Sequence, residues 1–118
     1  VNIIALFGIV IGYGFSSWAL IENRFFSGTV RIQTERGHHV VSTGPYQIMR
    51  HPGYSGGLLG YVFIPLLLDS MWAFIPTVLL VVVMVIRTAL EDKTLQNELP
   101  GYKEYAKQVR YRLIPGIW

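Results

Sequence analysis

A chain of 118 residues makes one domain and no more, and this one is 52% apolar and only 14% charged, well short of the roughly one-quarter charged residues of a soluble domain. The absence of cysteine excludes disulfides and thiolate metal sites. The net charge of +3 is modest, and where the charges fall says more than their sum.

Residues 3–21 are an almost unbroken apolar run without a charge, about the length of a bilayer-spanning helix. Within it Gly8 and Gly12 are spaced for the close approach of another helix. A polar loop, 22–52, follows with Arg24, Arg31, Arg36 and Arg50, and with the adjacent His38 and His39, a weak basis for metal binding. The second apolar run, 53–68, is short for a membrane span. Pro52 suits the first turn of its helix, where a missing N–H costs nothing. Gly53, Gly56, Gly57 and Gly60 offer either a packing face or a close ligand approach. Asp69 and Ser70 make a tight connection to the third run, 71–90, whose only charge is Arg87. Residues 53–90 therefore read as a helical hairpin. The third helix continues past the membrane surface, with Leu95 and Leu99 extending its apolar stripe until Pro100 and Gly101 stop it. An amphipathic helix over 102–109 comes next, with Tyr102 and Tyr105 on one face.

The expected fold class is all-α: one integral membrane helical bundle over 1–118, with about three transmembrane helices, a cytosolic loop 22–52 and a cytosolic tail 91–118 that carries the C-terminal amphipathic helix. Three spans bring Lys93, Lys103, Lys107, Arg110 and Arg112 to the same side as the arginines of the loop, with Asp69 the only charge opposite. That is the positive-inside pattern, so loop and tail face the cytoplasm. Strands alternating with helices and a glycine-rich strand-to-helix turn are both missing, which excludes the soluble nucleotide-binding architecture. Topology and anionic lipid headgroups explain the basic tail better than nucleic acid does. Nothing resembles a zinc-ligand helix such as His-Glu-x-x-His, and no metal is expected.

Ionisable groups gather at one membrane surface. Residues 44–56 enter the second helix and residues 87–92 leave the third, and a hairpin sets both at one depth. The entrance offers free backbone N–H groups beside Arg50 and His51, with Tyr54 one turn further in, a setting for a carboxylate or phosphate. The exit offers the opposite charge, with Arg87 and Glu91 four apart on one helical face. A ligand with an anionic and a cationic end would be held between the two. Each residue also has a plain structural reading. Arg50 serves as an interfacial anchor, His51 as a cap, Arg87 and Glu91 as a mutual pair, and the tyrosines as an aromatic belt. Their joint occurrence favours a site.

The ordered set Gly44-Pro45-Tyr46, Arg50-His51-Pro52-x-Tyr54-x-Gly56, Glu91-Asp92, Gly101-Tyr102-x-x-Tyr105 and Arg112-x-x-Pro115 resembles the isoprenylcysteine carboxyl methyltransferase and phospholipid methyltransferase group. The resemblance runs from about residue 30 to 118. It implies an S-adenosylmethionine-dependent methyltransferase acting on a lipophilic acceptor among membrane lipids, with its site on the cytoplasmic side, as in a bacterial inner membrane. Family members carry further N-terminal helices and this chain starts at Val1, so it reads as a family core or a truncated copy. The cofactor-binding set it implies is Tyr46, Arg50, His51, Pro52, Tyr54, Gly56, Glu91, Tyr102 and Tyr105. Within that set, His51 and Tyr54 at the helix entrance are expected to take the cofactor carboxylate and Glu91 its ammonium, with Tyr46, Tyr102 and Tyr105 walling the adenosine. Two residues are expected to be catalytic: Arg87 holding an acceptor carboxylate, and Asp92 taking the proton from an amine acceptor. Asp92 stands where the family usually has a second Glu. The rivals are an NADPH-dependent sterol-reductase-like enzyme and a non-catalytic membrane bundle. The acidic pair argues against a phosphate-rich cofactor at that place.

Overall fold

The computed structural model describes residues 2–26 and 32–118; Arg31, one of the charges that set the expected topology, lies outside them. Among the described residues there are four α-helices and no strand, so the architecture is all-α as expected. The first helix, α1 (Ile3–Glu22), is started by Asn2, whose side chain accepts the Ala5 N–H at 3.1 Å. Next come α2 (Pro52–Leu67), α3 (Phe74–Glu98) and the short α4 (Tyr102–Gln108), with 3₁₀ turns at Thr34–Arg36 and Gly44–Gln47 between α1 and α2.

Among the described helices, α1 and α3 are long and apolar enough to cross a membrane. Their apolar side chains point outward, and only 22% and 11% of their most apolar stretches are buried. Helices that are apolar on nearly every side and left uncovered are built to face lipid. Thr77 and Thr88 fit that setting, because each hydroxyl donates to the carbonyl four residues back, Ala73 and Met84. The middle helix has 16 residues, about 24 Å at 1.5 Å per residue, shorter than the hydrocarbon core.

α2 lies mainly along α1 and meets α3 less extensively. Glycines make the first contact possible. A Cβ on Gly12 would stand 2.6 Å from Gly56 O and Gly60 N, and one on Gly56 would stand 2.6 Å from Ser16 N. Ser16 Oγ adds a hydrogen bond to Gly53 O at 2.9 Å. Gly56 is thus a helix-packing residue; Gly57, one place on, faces open space.

The hairpin connection differs from expectation. It takes residues 68–73 rather than a two-residue turn, and α3 starts at Phe74 instead of residue 71. The chain reverses through Asp69 at φ 53, while the Ser70 N–H closes the end of α2 on Pro65 O. One further turn, with Phe74 N–H donating to Met71 O, precedes the helix. At the opposite end α3 does overrun its apolar part, and Gly101 at φ 86 turns the chain into α4. The tail then returns to the entrance of α2, where Arg50 and His51 N–H donate to the carbonyls of Tyr111 and Arg112.

Candidate functional site

The polar ends of α2 and α3 meet α4 and the described parts of the stretch between α1 and α2 around one cleft. It holds about 600 Å³ of empty space when its open mouth is included. Seven of the residues expected to bind cofactor line it: Tyr46, Arg50, His51, Tyr54, Glu91, Tyr102 and Tyr105. The hairpin thus brings His51 and Glu91 to a common cavity.

Pro52 and Gly56 do not line it. Pro52 starts α2, and Gly56 faces α1. Arg87 is also outside the lining. It sits one helical turn before Glu91, with Nε donating to the Tyr54 hydroxyl at 3.1 Å.

Asp92 occupies the centre of the polar network. Its carboxylate is 1% exposed and receives five donors. His51 Nε2 and the Tyr102 hydroxyl bind Oδ1 at 3.0 and 3.1 Å, and Arg50 Nη2, Gln96 Nε2 and Arg112 Nε bind Oδ2 at 3.0, 2.6 and 3.3 Å. An ionised carboxylate only accepts, so His51 presents an Nε2–H. Five donors fill the two oxygens and leave no lone pair for a proton from a substrate.

The tyrosines are fixed at their tips and offer their ring faces. Tyr105 OH donates to Tyr46 O at 2.6 Å, and its ring stands edge-on to Tyr102. Burial pushes the Tyr46 phenol up to about 12, a hydrogen bond with Asn23 opposing it and the Glu91 and Glu22 carboxylates adding to it. Burial likewise raises Tyr102, reinforced by the Asp92 charge, and Tyr105, reinforced by Tyr46. All three stay neutral at physiological pH.

Among the described residues two buried side-chain polar atoms have no hydrogen-bond partner, and both belong to this cavity: Arg50 Nε and Glu91 Oε2. One is a cationic donor and the other an anionic acceptor. A buried polar atom left unpaired costs about 1–3 kcal/mol, and here a cationic donor and an anionic acceptor are both left so among the lining residues.

Other lining residues were not singled out in the sequence. Phe25 and Phe26 follow α1 as an aromatic pair outside any period. His38 and His39, weighed there only as metal ligands, are aromatic wall. Arg112 and Gln96 complete the shell of Asp92; Arg112 lay in the last motif, whereas nothing marked Gln96.

A helical membrane protein with a polar cleft at the end of its hairpin is the class that fold and site define. The chain belongs to the phospholipid methyltransferase family, whose model matches residues 1–100. It is 37% identical over 60 residues to rice (Oryza sativa subsp. indica and japonica) proteins named probable protein-S-isoprenylcysteine O-methyltransferase, covering 50% of this chain and 31% of theirs. It is 42% identical over 52 residues to Arabidopsis thaliana protein-S-isoprenylcysteine O-methyltransferase B, covering 43% of this chain and 26% of that one. The chain therefore matches about a third or less of these relatives' length.

Proposed function

We propose that this chain carries the cofactor site of a methyltransferase that uses S-adenosylmethionine to methylate a lipid-borne acceptor at the cytoplasmic membrane surface. The observation that carries the reading is the unpaired couple Arg50 Nε and Glu91 Oε2 in one cavity. The amino-acid end of S-adenosylmethionine has the carboxylate and ammonium that satisfy them. Family membership supports the methyl-transfer chemistry, and the excess of Lys and Arg in loop and tail supports the cytoplasmic side. A bacterial inner membrane is one setting that meets these requirements.

When bound, the cofactor supplies a methyl group on a cationic sulfur, open to in-line displacement. Glu91 accepts from its ammonium, and Arg50 Nε donates to its carboxylate. The carboxylate assignment passes to Arg50 because its buried Nε has no partner, whereas His51 Nε2 is committed to Asp92. Tyr46, Tyr102, Tyr105 and Leu95 wall the adenosine and keep water out, so alignment supplies most of the acceleration. Arg87, hydrogen-bonded to Tyr54 one turn before Glu91, holds an acceptor carboxylate in its guanidinium fork. Asp92 positions Arg50 and His51. The relatives' names favour a prenylated cysteine carboxylate as acceptor and the family description a phospholipid; a carboxylate is already ionised and needs no base, which fits a fully occupied Asp92.

Titration calorimetry in detergent with S-adenosylmethionine and with NADPH tests the cofactor. Heat with the first alone is expected. Binding of NADPH alone makes the chain a reductase-like protein, and binding of neither refutes both enzyme readings. Mass spectrometry of lipid extracts incubated with methyl-labelled cofactor then identifies the acceptor.

A further inference from the structure

We propose that residues 32–41 are a movable roof over this cavity, and that Gln33 is the pin that sets how fast the cofactor enters and leaves; the inference rests on reading the cavity as an S-adenosylmethionine site. Tyr54, Glu91, Leu95, Tyr102 and Tyr105 line the cavity from α-helices, whose backbone hydrogen bonds are internal. His38, His39, Val40 and Val41 supply another side, from a segment whose only regular structure is the turn Thr34–Arg36, ended by Gly37 at φ 66. A wall held by a few side-chain bonds opens at lower cost than one built of packed helices.

Gln33 is the chief of those bonds. It is 1% exposed although the four residues after it are exposed. Its Nε2 donates to Phe25 O at 2.7 Å, across to the stretch that follows α1. Its Oε1 accepts from Arg36 Nη1 at 2.7 Å, and its N–H donates to His38 Nδ1 at 3.0 Å. One side chain thereby ties the roof to its support and the turn to itself. The amide supplies the donor and the acceptor from one side chain. Beside the pin, the His38 ring stacks on Phe25 with centroids 4.4 Å apart, and His39 meets the same ring edge-on at 5.0 Å. The far end of the roof is an apolar foot, Val40 and Val41 resting on the cluster of Tyr46, Tyr102 and Tyr105. Phe25 and Gln33 act as positioning residues, since they place the two histidines against the ligand space.

The test measures association and dissociation rates of labelled S-adenosylmethionine on the full chain in detergent, for wild type, Gln33→Leu and Gln33→Glu. Gln33→Leu removes both side-chain bonds, so both rates are expected to rise on the order of tenfold while affinity changes less than either rate. Gln33→Glu keeps the bond from Arg36 and loses the one to Phe25 O, and should fall between. Amide exchange at residues 36–38 of the wild type should slow when cofactor is saturating. Rates within twofold of wild type in Gln33→Leu overturn the proposal, as does dissociation rising alone with affinity falling in step. Unchanged exchange at 36–38 overturns it too, and both this measurement and Gln33→Glu stand if the leucine variant does not fold. A wild type that binds no S-adenosylmethionine is a different result, which removes the cofactor reading and the roof with it.

Discussion

Replacing Asp92 with Asn tests the network at its centre. The substitution keeps the shape, removes the charge and leaves one acceptor oxygen for five donors. Whichever way the amide turns, its NH₂ points at either His51 and Tyr102 or Arg50, Gln96 and Arg112. Arg50 is buried and pairs directly with Asp92, and stripping the counter-charge from a buried cation costs about 3–5 kcal/mol. The Arg112 side chain is 32% exposed and regains water, so its bond adds little. A loss of about 3 kcal/mol is expected, which for a domain of this size lowers the melting temperature by roughly 10 °C or more. S-adenosylmethionine affinity should drop at the same time, because Arg50 loses the contact that aims it. Thermal unfolding by circular dichroism and titration calorimetry in the same detergent give both numbers. If Asp92→Asn keeps its melting temperature and cofactor affinity and loses only turnover, the positioning role is wrong and Asp92 is the proton acceptor after all.

Glu91→Gln should weaken S-adenosylmethionine binding by about 10- to 100-fold, the range of a charge-assisted hydrogen bond; an unchanged calorimetric affinity removes the ammonium assignment. Gly56→Ala should destabilise by about 1–3 kcal/mol through overpacking, because its Cβ would press on the backbone of α1. Gly57→Ala, facing open space, should be neutral or gain less than about 1 kcal/mol, and equal thermal shifts for the two would contradict the packing of α1 on α2. At alkaline pH the buried phenols set the sign. Tyr46 ionises near its ordinary value of 10 when unfolded and at about 12 when folded, so the unfolded chain releases protons first and stability falls as pH rises from 10 toward 12. Thermal unfolding followed across that range should show the fall, and it should be smaller in Tyr46→Phe.

Much of the site was legible because its parts repeat general rules at short range. Pro52 at a helix start, the acidic pair one hairpin away and the stop at Pro100 and Gly101 depend on local backbone chemistry. The partners inside the network were not legible. Glu91 and Asp92 are neighbours in sequence, yet one turns into the cavity with an oxygen unpaired and the other is enclosed by donors from four parts of the chain. A helix rotates successive side chains by about 100°, and only the positions of the neighbouring elements decide which side faces a ligand. Gly56 and Gly57 part company for the same reason. Gln33, in a polar loop without periodicity, left no mark at all.

The sequence by itself determined that this chain is an all-α membrane protein, where its long apolar helices run, and that basic and acidic motifs meet at one end. These follow from hydropathy, charge bias and turn chemistry, which act within a few residues. Only the tertiary structure decided which polar atoms are already paired and which remain for a ligand. Hydrogen bonds are directional and short, and their partners come from segments far apart in the chain.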